Sequence, residues 1–165
     1  MIPHPDPIAP TPLNCVVITV SDTRSPENDR SGELIKSFLQ TGGHVTVGYR
    51  IIPDEPETIA SELEVWETQA VDAFIFNGGT GISKRDRTVE SVSGKLERII
   101  PGFGELFRLL SYQSIGSRAM SSRAIAGVYQ EKLVFCIPGS TNGVKLAMEK
   151  LILPELVHLS QQIKK

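Results

Sequence analysis

The sequence predicts an α/β fold of three layers: a mostly parallel central sheet with helices on both faces. Three observations carry that expectation. Short β-branched apolar runs alternate with segments of helical hydrophobic spacing, a pattern that needs crossover connections and hence a parallel sheet. The runs Asn14–Val20 and Ala73–Phe76 are apolar at consecutive positions, as strands covered on both faces are. A chain of 165 residues, 40% hydrophobic and 22% charged, is also long enough to bury one self-sufficient core.

The elements follow in order. Five of the eleven prolines (Pro3, Pro5, Pro7, Pro10, Pro12) fall in residues 1–12, which read as a flexible arm before a single domain over 13–165. Strand Asn14–Val20 is followed by a polar loop from Ser21 to Asp29. Leu34, Ile35, Phe38 and Leu39 then recur at helical spacing, with Gly42-Gly43 as the stop. Val45, Val47, Tyr49 and Ile51 alternate as in a strand near a sheet edge. Pro53–Glu57 opens a second helix with Ile59, Leu63 and Trp66 on one stripe. Strand Ala73–Phe76 ends at Gly78-Gly79-Thr80-Gly81. A helix is expected from about Thr88 to Ile100, cut by Pro101, and another across Glu105–Ser114. Ile125–Tyr129 and Leu133–Ile137 read as strands around the turn Gln130-Glu131-Lys132. A last helix starts near Asn142 and bends or breaks at Pro154.

Composition removes several classes of function. A net charge of −2 offers no footprint for nucleic acid, and Arg108, Arg118 and Arg123 have no interleaved aromatics for base stacking. No apolar run approaches the ~20 residues of a membrane span, and Met1–Pro5 carries neither region of a secretory signal, so a soluble cytoplasmic protein is expected. Cys15 and Cys136 are far apart, His4, His44 and His158 lie away from the glycine-bearing loops, and no GxSxG is present. Zinc sites, disulfide frameworks and triad hydrolysis are thereby disfavoured. The charge is uneven: residues 1–83 hold 4 Lys/Arg against 12 Asp/Glu (−8), residues 84–165 hold 13 against 7 (+6). That unevenness is either plain solvated surface, faces that meet between copies, or a basic half that receives an anion.

In α/β sheets ligands bind beyond the carboxyl ends of the strands, which selects the loops after Val20, Phe76 and Ile137. Gly78–Gly81 either makes a tight turn or converges its amides on phosphate, with the Thr80 hydroxyl as a further donor. It is neither a Walker A loop nor GxGxxG. Lys84-Arg85-Asp86-Arg87-Thr88 suits a polyphosphate with a metal held by Asp86, or else an exposed basic loop with an Asx-turn at Asp86 and a helix cap at Thr88. Asp54-x-x-Glu57 has the spacing of a capping box. Ser140 and Thr141 supply donors at a helix start or simply cap it, and Ser21 can bind or turn.

Together Val17–Arg24, Asn77–Thr88, Pro101–Arg108 and Ile137–Thr141 resemble the molybdenum cofactor biosynthesis family of MoaB and Mog proteins and the corresponding domain of gephyrin, over about residues 13–160. Leu110–Tyr112 through Ser122–Gly127 is most similar to the MoaB branch. The resemblance implies a molybdopterin-binding fold, a homo-oligomer (trimer or hexamer), and adenylylation of molybdopterin by ATP with Mg²⁺, releasing pyrophosphate. A non-catalytic pterin-binding or delivery protein of the same fold is the alternative. It further implies that Asp54 and Asp86 are the catalytic aspartates, Asp86 holding the metal. Gly78, Gly79, Thr80, Gly81, Ser140, Thr141 and Ser21 would bind substrate, with Lys84 and Arg85 countering charge.

Overall fold

The computed structural model describes residues 11–165. The arm expected over 1–12 lies, up to residue 10, outside the described residues. Strands β1 (Asn14–Val20), β2 (Val45–Ile52), β3 (Ala73–Asn77), β4 (Arg98–Ile99), β5 (Ile125–Tyr129) and β6 (Lys132–Ile137) form one sheet in the order β2-β1-β3-β6-β5-β4. The first four strands in that order are parallel neighbours, while β5 runs antiparallel to both β6 and β4. The expected mostly parallel sheet is therefore present, with β2 at an edge and an antiparallel flank at the other side.

Strand periodicity divides the core. On one face Cys15, Val17, Ala73, Ile75, Leu133, Phe135 and Ile137 pack with residues of α1 (Arg30–Thr41), α4 (Pro101–Ile115), α5 (Thr141–Ala147) and α6 (Leu153–Gln162). On the other Val16, Ile18, Phe74, Phe76, Val134 and Cys136 meet Ile59 and Leu63 of α2 (Pro56–Val65) and Val92 of α3 (Thr88–Ser93). Consecutive strand residues thus enter opposite cores, which explains the unbroken apolar runs. Each cysteine is buried on a different face, and burial pushes the Cys15 thiol up to about 12.

The helix expected from Thr88 to Ile100 is shorter. It stops after Ser93 at Gly94, and the chain becomes β4, with Glu97 N–H donating to Val128 O (2.9 Å) and Ile100 N–H to Ala126 O (2.8 Å). Leu96 packs into one core and Ile100 into the other. A continuous helix would put residues four apart on one stripe. Pro101 then occupies the first turn of α4, where its missing N–H costs nothing. At the C-terminus the bend expected at Pro154 is spread over a π-helical turn, Met148–Ile152, which leads into α6 with Pro154 in its first turn. A wider turn accommodates a ring that cannot donate and would crowd the carbonyl four residues back.

Because β1, β2, β3 and β6 are parallel, their carboxyl ends lie along one sheet edge. Ser21, Asp54, Gly78 and Pro138 follow those ends directly or within two residues.

Candidate anion-binding cleft

Gly78 (φ +100°) and Gly79 (φ +70°) take conformations L side chains rarely adopt. Space demands glycine as well. A Cβ on Gly78 would lie 2.3 Å from Val20 O, and one on Gly79 would lie 2.2 Å from Thr88 Oγ1 and 2.8 Å from Asp54 Oδ1. A Cβ on Gly81 would lie 2.7 Å from Asp86 Oδ2. The two aspartates therefore flank the loop, Asp54 against Gly79 and Asp86 against Gly81.

The loop is held by its carbonyls. Gly78 O accepts from the buried Thr88 hydroxyl (2.8 Å) and Gly79 O from Thr88 N–H (3.1 Å). Arg123 N–H donates to Thr80 O (2.9 Å) and its Nε to Gly81 O (2.8 Å). Among the described residues the N–H groups of Gly79, Thr80, Gly81 and Ile82 reach no protein acceptor. Consecutive free amides on a glycine loop make an anion-binding concavity.

Asp54 does not cap α2 as its spacing suggested: Glu55 is the N-cap residue, without a side-chain bond. The carboxylate instead points at the glycine loop, where Oδ1 is buried with no hydrogen-bond partner in the structure. Burial, then the charges of Asp22 and Asp86, push its pKa above the ordinary carboxylate range. At Asp86, Oδ2 accepts from Ser83 N–H (2.8 Å), a bond running backwards along the chain, so the Asx-turn alternative is not what forms. Thr88 sits at the first position of α3 and spans back to Gly78 rather than capping the helix.

Gly79, Thr80, Gly81, Asp86 and Ser140 line a cleft of about 750 Å³. Phe107, Ser111 and Ile115 of α4 also line it, as do the cations Arg118, Lys145 and Lys150 and one carboxylate, Glu149. All three cations belong to the basic half of the sequence. No motif in the sequence places them here. The excess of +6 over residues 84–165 was the signal, but charge alone shows no position.

Other expected site residues lie differently. Ser140, already on the cleft lining, also caps α5, its Oγ accepting from Gly143 N–H (3.1 Å), whereas Thr141 is exposed outside the lining. Ser21 Oγ accepts from Thr23 and Arg24 N–H (both 3.2 Å), so it forms a local turn. Lys84 lines a separate shallow groove. Arg85 is engaged elsewhere: it forks onto Asp22 (2.8–3.0 Å) and reaches Glu55 at 3.2 Å, holding the Asp22 carboxyl below its usual range. Asp22 in turn accepts from Asp54 N–H at 3.1 Å. Arg85 thus ties the loops after β1, β2 and β3 together.

Beneath these loops the buried Asp29 accepts from Thr19 Oγ1 (2.6 Å), the Tyr49 hydroxyl (2.5 Å) and Gly32 N–H (3.0 Å). Asn77 donates to Thr19 Oγ1 at 2.9 Å, and Ser31 Oγ to Gly139 O at 2.5 Å. This network couples α1 to the loop floor.

Residues 16–158 match the model of a family described as a probable molybdopterin binding domain. A molybdenum cofactor biosynthesis protein B of Bacillus subtilis is 50% identical over 159 residues, covering 95% of this chain and 94% of the relative. Among solved structures, a molybdenum cofactor biosynthesis protein B superposes with a TM-score of 0.91 at 48% identity, covering 95% of this chain and 99% of that one. The tungsten cofactor synthesizing protein MoaB from Pyrococcus furiosus superposes at 0.84 with 36% identity, covering 95% and 100%.

Proposed function

The chain belongs to the molybdopterin-binding domain family of molybdenum cofactor biosynthesis, as a MoaB-like member, and from that premise we propose that it adenylylates molybdopterin with ATP. In that step a molybdopterin phosphate oxygen forms a bond to the α-phosphorus of ATP, the bond from that phosphorus to the bridging oxygen breaks, and pyrophosphate leaves. The observation that supports it most is the run of free amides at Gly79–Ile82, flanked by Asp54 and Asp86 and opening on a cleft with three cations. A phosphate nucleophile needs no strong base. The work is to align two polyanions and to stabilise charge on the transferring and leaving phosphates.

In this reading the loop amides and Thr80 hold phosphate oxygens, Lys145 and Arg118 offset their charge, and the apolar wall at Phe107 and Ile115 receives the pterin ring. Among the described residues no three His, Cys, Asp or Glu side chains converge as a metal cage. Mg²⁺ commonly uses one or two carboxylates and completes its shell with phosphate and water. Asp86 on the cleft and the unpartnered Asp54 oxygen fit that role. Bound there, Mg²⁺ would supply charge neutralisation to the triphosphate. Assembly into a homo-oligomer, a trimer or hexamer, belongs to the same proposal, supported by the exposed apolar residues Leu106, Leu109 and Tyr112 of α4, outside the cleft lining, as the contact with a second copy.

A second reading, a non-catalytic molybdopterin carrier, is favoured by one observation: Arg85, expected on phosphate, is already engaged by Asp22 and Glu55. Pyrophosphate release from ATP and Mg²⁺ separates the two. Release that requires molybdopterin supports transfer, whereas retention of molybdopterin without release supports the carrier.

A further inference from the structure

We propose that Arg123 is the positioning residue of the glycine loop, a clamp that turns the loop's amides away from itself and presents that of Gly81 on the main cleft. The inference rests on the anion-binding reading of that loop. Arg123 lies just before β5, more than forty positions from Gly81 in the chain, and it is outside the lining of the main cleft. Its backbone N–H holds Thr80 O (2.9 Å), Nε holds Gly81 O (2.8 Å), and Nη2 holds Asp86 O (3.0 Å). The outer edge of the guanidinium pairs with Glu90 of α3. One planar fork therefore closes both ends of the Ile82–Arg85 excursion, and Asp86 closes it again by accepting from Ser83 N–H.

The direction of the amides follows from peptide geometry. In a trans peptide the carbonyl and the next N–H point oppositely. With the carbonyls of Thr80, Gly81 and Asp86 drawn to Arg123, the N–H groups of Gly81, Ile82 and Arg87 point away from it. None of these three N–H groups has a protein acceptor among the described residues. The same grip fixes the main chain that carries the Asp86 carboxylate. Lysine cannot substitute, because a single ammonium is a point charge without the fork that spans two carbonyls.

Two readouts on the full-length protein test this: Mg²⁺-pyrophosphate binding by calorimetry, and amide hydrogen exchange across residues 79–88. Arg123→Ala keeps the backbone bond to Thr80 and is expected to stay folded. It should bind pyrophosphate about tenfold more weakly, the loss expected when charge-assisted hydrogen bonds disappear, and should exchange the loop amides faster. Arg123→Lys should recover little, and added methylguanidinium should restore affinity to Arg123→Ala. A folded Arg123→Ala protein with unchanged affinity and unchanged loop exchange overturns the proposal. Should that variant not fold, Glu90→Gln frees the outer edge of the guanidinium and must speed loop exchange; unchanged exchange there also overturns the clamp. Wild-type protein that binds no pyrophosphate removes the anion-binding reading, while the exchange comparison still decides the clamp.

Discussion

At Asp54 the proposed catalytic role and the stability of the fold oppose each other. Its buried oxygen has no partner, and burial beside Asp22 and Asp86 raises its pKa above the unfolded value. A carboxyl with a raised folded-state pKa favours folding when protonated, and this contribution fades as pH climbs through the folded pKa. Asp54→Asn should therefore stabilise the protein at pH 7 by on the order of 1 kcal/mol, and thermal melts should show that gain vanishing below about pH 4, the unfolded carboxyl range. Adenylylation should fall about a hundredfold or more in the same variant. A variant that is less stable at pH 7 would show that the carboxylate serves the fold. Gly79→Ala meets both a positive φ and the buried Thr88 hydroxyl, so chemical denaturation should register a loss of about 2 kcal/mol or more. The glycine loop stands out by motif and order, whereas Asp54 reads as a helix cap by its spacing, and both aspartates become catalytic candidates only through the family resemblance. The partners of Arg85 and Arg123 were not legible, since a guanidinium's acceptors are set by loops 30 to 63 positions away.

At the scale of the element, the strands were legible because burial on two faces demands unbroken apolar runs. Length was harder to read where a helix and a strand share one apolar spacing. Residues 94–100 carry Leu96, Ile99 and Ile100 at intervals that fit either, and only pairing with β5 decides for β4. The β5–β6 hairpin shows a local choice made by tertiary context: Gln130 (φ +45°) and Glu131 (φ +59°) both occupy the left-handed region that favours Asn-Gly. Replacing them with Asn and Gly should stabilise the protein by about 0.5–1 kcal/mol and raise Tm by roughly 1–4 °C. An unchanged or lower Tm would mean that the contacts of Gln130 with Glu67 and Glu97 outweigh the backbone strain.

For the whole molecule, the charge asymmetry has acquired a place. Arg118, Lys145 and Lys150 of the basic half line the cleft, and in the proposed reading these three cations serve anion capture. The proposed association between copies rests instead on the apolar face of α4. Oligomer mass by sedimentation should then hold steady as salt rises and collapse to monomer in Leu109→Arg, whereas charge-driven assembly would weaken with salt. No described helix is long and apolar enough to cross a membrane. The proposed reaction is transfer of AMP to molybdopterin in this cleft, with Asp86 in the machinery. It is tested most directly by mass spectrometry of protein incubated with molybdopterin, ATP and Mg²⁺, beside the Asp86→Asn variant. Adenylylated molybdopterin from the wild type, reduced at least about a hundredfold in the folded variant, is the predicted result. Equal product from both, or none from a wild type that retains molybdopterin, would contradict it.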